Sequence, residues 1–89
     1  MRIKARDEYF SRENRYSLGA DELSGRRYLS IPVSTRVVDY EEYFEVAAEH
    51  YALLLADPAL ALAFAEECRR HEHDDLLLQE PGWNRGSPV

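Results

Sequence analysis

Cysteine is nearly absent from this chain. Cys68 stands alone, so no disulfide can form within it. A small fold without such staples suits a reducing compartment, and the cytoplasm is the expected location. Long hydrophobic runs are missing too. Nothing approaches the ~18 apolar residues of a membrane span, so no membrane partner is expected. Residues 1–8 carry charge but no apolar stretch of the kind a secretory leader needs. There are only four glycines. Those at Ser24-Gly25 and at Gly82 and Gly86 read as turns without the spacing of a phosphate-binding loop, and no cofactor is expected. Internal repeats and low-complexity tracts are also lacking.

Positive charge is missing from one stretch. Residues 39–57 contain six carboxylates, Asp39, Glu41, Glu42, Glu45, Glu49 and Asp57, and no lysine or arginine. Residues 1–38 carry a net charge of +3 and residues 39–89 a net charge of −9, giving −6 overall. That balance argues against binding nucleic acid through its phosphates. The early bases, Arg2, Lys4, Arg6, Arg12, Arg15, Arg26, Arg27 and Arg36, are interleaved with acids and form no single stripe. An acidic helix face, by contrast, needs either water or a basic partner.

With 89 residues, 45% apolar and 31% charged, the chain reads as one small globular domain over residues 1–80. Residues 81–89 read as a partly mobile tail. Residues 1–14 read as an extended lead-in with a short strand around Tyr9. In residues 15–33, Tyr16, Leu18 and Ala20 alternate with polar or small residues, and so do Leu29, Ile31 and Val33. This is the period of two of half-buried strands, and Asp21-Glu22-Leu23-Ser24-Gly25 supplies the turn of a hairpin. Pro32 cannot donate to a ladder, which places it at an edge or a bulge.

Asp39, Glu42 and the staple pair Val38 and Tyr43 predict a helix start, and Pro58 ends that helix. Tyr40, Phe44, Ala47, Tyr51, Leu54 and Leu55 would form its apolar stripe. Asp57-Pro58 opens a second helix. Its residues 59–65 are apolar nearly all round, which favours burial on more than one side. Further along, Glu66 with Arg70, or Arg70 with Asp74, can pair one turn apart. Residues 76–78 fit either a last helical turn or a short strand. A third strand, from residues 76–79 or from residues 2–6, would support the hairpin, and the former is favoured. The expected fold is α+β: a small antiparallel hairpin or three-stranded sheet on a two-helix pair, in the order ββαα with a short closing strand as an option.

Three groups invite chemistry. Glu41, Glu45 and Glu49 are spaced by four and would stack on one helix face, either as a solvated surface or as a docking site for a basic partner. Cys68, His71, Glu72, His73, Asp74 and Asp75 are the only cluster of metal-ligand types, with His50 as a distant recruit. In a helix Cys68, His71, Glu72 and Asp75 share a face; in an extended segment His71 and His73 do. Neither arrangement completes a tetrahedral set. Cys68 beside His71 lacks a third group to orient the histidine, so nucleophilic catalysis is weakly supported. Six tyrosines and Trp83 add aromatic surface that suits either core margins or interfaces.

These features favour a non-enzymatic interaction protein, a regulator or inhibitor of a basic protein, with Glu41, Glu45 and Glu49 as contact residues. The alternative is a metal-binding protein or metal-dependent enzyme using His71, His73 and Asp75 with Cys68 or His50. A homodimer, formed through an unprotected sheet edge, is a third possibility.

Overall fold

A computed structural model of the protein describes residues 3–89. Four strands run antiparallel in chain order: β1 (Ala5–Ser11), β2 (Tyr16–Asp21), β3 (Arg27–Ser34) and β4 (Asp39–Val46). Two helices follow, α1 (Ala48–Ala56) and α2 (Pro58–Arg69), then a 3-10 turn (Asp74–Leu76) and a two-residue strand, β5 (Ser87–Pro88). The class is α+β, with more strands than the sequence reading expected. Among the described residues, no helix is long and apolar enough to cross a membrane.

The central hairpin follows its alternation. Tyr16 and Leu18 of β2, and Leu29, Ile31 and Val33 of β3, are buried in one core with Phe44, Val46, Tyr51, Leu54, Ala61, Phe64, Ala65 and Cys68. The turn between them is organised by Asp21. Its carboxylate accepts hydrogen bonds from the backbone N–H groups of Lys4, Leu23 and Ser24 and from the Ser24 hydroxyl. These donors, the hydroxyl first, hold the carboxyl below its usual pKa. Gly25 takes the left-handed conformation at φ 75°.

The lead-in is a full strand. β1 pairs with β2 and carries a bulge between Asp7 and Tyr9. The extra residue, Glu8, accepts a hydrogen bond from the Tyr51 hydroxyl at 2.6 Å, which ties β1 to α1. Of the alternative third-strand stretch, residues 2–6, only Arg2 lies outside the described residues.

The expected helix from Asp39 is corrected. Residues 39–46 form β4, paired with β3 from Arg27↔Val46 to Ser34↔Asp39, and helix begins only at Ala48. Asp39 ends a ladder and caps no helix. Val38, the supposed staple, sits in the β3–β4 turn, where its N–H donates to the Thr35 hydroxyl at 3.0 Å. The physical reason is that a spacing of four fits both periods. Tyr40 and Phe44 lie one helical turn apart, but also two pleats apart on one strand face. Tyrosine, phenylalanine and valine favour the pleated surface, and β3 supplies the partner.

The second helix starts as read. Asp57 accepts from Ala59 and Leu60 N–H at 3.0 and 3.3 Å, with Pro58 in the first turn. Its apolar stretch is buried on one side only. Ala61, Phe64, Ala65 and Cys68 face the core, whereas Ala59, Leu60 and Ala63 are exposed. Neither expected Arg70 pairing forms. Arg69 pairs with Glu66 at 2.8 Å, and Arg70 pairs with Glu72 at 2.6 Å. Arg69 also donates to the carbonyls of Asn14 and Arg15, joining the end of α2 to the β1–β2 turn.

The last residues are tied to the body. Leu77 bridges Phe44, and the Leu78 N–H donates to the Tyr43 carbonyl at 2.9 Å, so residues 77–78 join the outer edge of β4. β5 pairs with β3, and Val89 N–H donates to the Pro32 carbonyl. A strand residue points its N–H and C=O the same way, so the Pro32 nitrogen faces β5, beyond the end of β2. There its missing donor breaks no central ladder. Residues 81–89 supply both a two-residue strand and, in Arg85, an ion-pair partner for β4.

Candidate functional site: the two sides of strand β4

Alternation along β4 sends Tyr40, Glu42, Phe44 and Val46 toward the helices, and Glu41, Tyr43 and Glu45 toward the opposite face of the sheet. Glu42 is therefore a carboxylate in the core layer, with only 5% of its surface exposed. Arg85 meets it with two hydrogen bonds, Nε to Oε2 at 2.8 Å and Nη2 to Oε1 at 2.9 Å. The same guanidinium holds Asp74 at 2.8 and 3.0 Å. Arg85 keeps Asp74 below the usual carboxylate range, and the two acids raise the pKa of Arg85 in return. This fork is the geometry that satisfies a buried carboxylate.

The opposite face is acidic and aromatic. Tyr28 donates its hydroxyl to Asp7, and its ring meets Tyr43 edge-on at 4.8 Å between centroids. Tyr28 lies directly across from Gly19. A Cβ on Gly19 would come within 2.3 Å of the Arg6 carbonyl oxygen and 2.6 Å of the Tyr28 hydroxyl, so only glycine admits this arrangement. The Ser30 hydroxyl donates to Glu41 at 3.0 Å. Tyr28 and Ser30 have almost no exposed surface, while Glu41, Tyr43 and Glu45 are half-buried. Burial pushes the Glu41 carboxyl above its ordinary pKa and the nearby Asp7 adds to the rise, against the Ser30 hydrogen bond. Burial likewise raises the Tyr43 phenol, with Glu41 and Asp7 contributing.

The three acids singled out from the sequence do not form one row. Glu41 and Glu45 share the outer face of β4, because four residues is also two strand repeats. Glu45 lies 3.9 Å from Arg26 in a half-exposed pair. Glu49 stands exposed in the first turn of α1, beyond the strand, where the helix dipole favours it.

The metal-ligand types are dispersed. Cys68 is buried, and desolvation pushes its thiol up to about 12. His71 takes a left-handed turn at φ 63° after α2 and lies 3.5 Å from Asp74. His73 bonds Glu67 at 2.7 Å and stacks on Phe64, whose edge or face also meets His50. Asp75 is exposed. Among the described residues, no three such side chains come together to hold a metal.

Sequence reading missed Arg85, Asp7 and Ser30. Arg85 lies 43 residues from Glu42 and in a stretch of turn residues, which gives no local signal. Between β4 and residues 79–82 lies a cavity of about 440 Å³, lined by Ile3, Tyr40, Glu41, Glu42, Tyr43 and Glu80 among others. Comparison with models of known protein families, with curated proteins and with solved structures finds no match to this chain, so its site is read from this geometry.

Proposed function

We propose that this protein is a non-enzymatic interaction module that recognises a basic protein through the outer side of β4. One observation carries the reading. Glu41 is a half-buried carboxylate whose pKa is raised by burial, with Asp7 adding to the rise and a serine as its hydrogen-bond partner. A desolvated acid near a second acid gains most from an incoming cation. Glu45 on the same face and Glu49 beyond it extend the negative surface. Complementary charge of this kind speeds encounter and selects partners. The lone, buried cysteine is compatible with work in a reducing compartment such as the cytoplasm.

The test is binding of basic, neutral and acidic peptides at several ionic strengths, with the wild type and with Glu41, Glu45 and Glu49 all changed to lysine. Selective binding of the basic peptides, weakening as salt rises and abolished by the triple reversal, is expected. Binding that the reversal leaves unchanged contradicts the reading.

A further inference from the structure

The edge of β4 is closed for only part of its length. Tyr43 directs its carbonyl off the sheet to Leu78. Residues two apart in a strand point their backbone groups the same way, so the N–H and C=O of Glu41 also face outward. The pairing of Phe44 with Leu77 and Tyr43 with Leu78 would set Glu80 opposite Glu41 if the ladder continued. It does not continue. Two carboxylates directly opposed are unfavourable, and Pro81 follows at once. The chain leaves the edge, and the 440 Å³ cavity opens where the ladder stops. Among the described residues, the backbone N–H and C=O of Glu41 have no hydrogen-bond partner.

The walls of this opening differ by face. Toward the acidic face stand Glu41 and Tyr43; toward the helices stand Tyr40 and Glu42, the latter already neutralised by Arg85. Pro81 and Gly82 close the outside, and the next residue, Trp83, is 98% exposed. A free strand edge takes an extended segment, whose side chains alternate between the two faces. Here one face offers the Glu41 carboxylate, which forms no ion pair among the described residues, and the other a tyrosine and a proline.

We infer that the gap between β4 and residues 79–82 is a docking groove for an extended segment of a partner protein in which basic and apolar residues alternate. The segment pairs its backbone with Glu41, places a lysine or arginine against the Glu41 carboxylate, and lays an apolar side chain toward Tyr40 and Pro81. Trp83 covers it from the rim. The inference rests on the proposed recognition of a basic protein and assigns the place where it happens.

The test follows backbone amide signals of the full chain by NMR as a short synthetic peptide of alternating arginine and valine is added. Shifts at Glu41, Tyr43 and residues 79–83, with slowed exchange of the Glu41 amide, are expected. Glu41→Pro removes the edge donor and the carboxylate, and should weaken binding about tenfold or more. Trp83→Ala alters a side chain with almost no packing and should weaken it about fivefold without affecting folding. If Glu41→Pro does not fold, the shift map and Trp83→Ala decide. A peptide that binds elsewhere, or equally well to the folded variants, overturns the groove and leaves basic recognition standing. A peptide that does not bind overturns both. Shifts at Glu41 that grow with protein concentration before peptide is added assign the groove to a second copy, and overturn the proposal.

Discussion

Glu41 and Glu42 are neighbours in one strand with opposite fates. Glu42 points into the layer between sheet and helices and is met there by a two-point arginine fork. Glu41 points to the other face, is also desolvated, and among the described residues receives only a serine hydroxyl. The alternation of a strand produces the difference: one step along the backbone moves a side chain from one face to the other. Acidic composition alone therefore says little about recognition. Some of the negative charge in residues 39–57 is structural and already matched within the chain. What is left stands on the outer face, at Glu41 and Glu45.

The edges of the sheet show a related contrast. β1 is an edge strand with a bulge and the charged residues Arg6, Asp7 and Glu8, features that blunt strand addition. β4 has no bulge, and residues 77–78 cover only part of its edge. The β4 edge is thus the less blunted of the two.

Breaking the neutralised side has the largest expected effect. Arg85→Met leaves Glu42 buried without its cation and should cost about 3–5 kcal/mol, read by chemical denaturation. Acid attacks the same clamp from the Asp74 side. The pKa of Asp74 is lowered in the folded state, so its contribution is present above the ordinary aspartate range near 4 and is lost as pH falls through the depressed value. Arg85→Met should flatten that part of the stability profile. Gly19→Ala disturbs the outer face instead, by pressing on the Arg6 carbonyl of β1 and on the Tyr28 hydroxyl, and should cost about 2 kcal/mol by overpacking. The smallest effect is expected from Glu45→Gln. Its pair with Arg26 is half-exposed and long, so stability should change by no more than about 0.5 kcal/mol. A large loss there would show that the outer acids are structural too, and the contrast with Glu42 would fail.

Much of the scaffold is legible in the residues. The alternation of Tyr16 and Leu18, and of Leu29, Ile31 and Val33, marks β2 and β3, and Asp57-Pro58 marks the start of α2. β4 is not legible because its sequence satisfies two periods at once. The clue against a strand, a glutamate at the core position 42, is itself a tertiary effect: only Arg85, far along the chain, makes that position tolerable. The β1 bulge is hidden for a similar reason, since the place of Glu8 depends on Tyr51 in a helix 43 residues away. Of the candidate site, the residue types and the pairing of Glu41 with Glu45 on one face could be read, but for a helical reason that the fold replaces. The groove could not be read, because it exists only where residues 77–78 join β4 and then depart from it.

The most direct test is the titration of the Glu41 side-chain carboxyl, followed by carbon NMR with and without the arginine–valine peptide. The free protein should show a pKa above the ordinary glutamate range, and a fall when the peptide brings a cation to it. A carboxyl that titrates in or below the ordinary range before any peptide is added is already solvated or satisfied within the chain, and Glu41 would then not be the contact group.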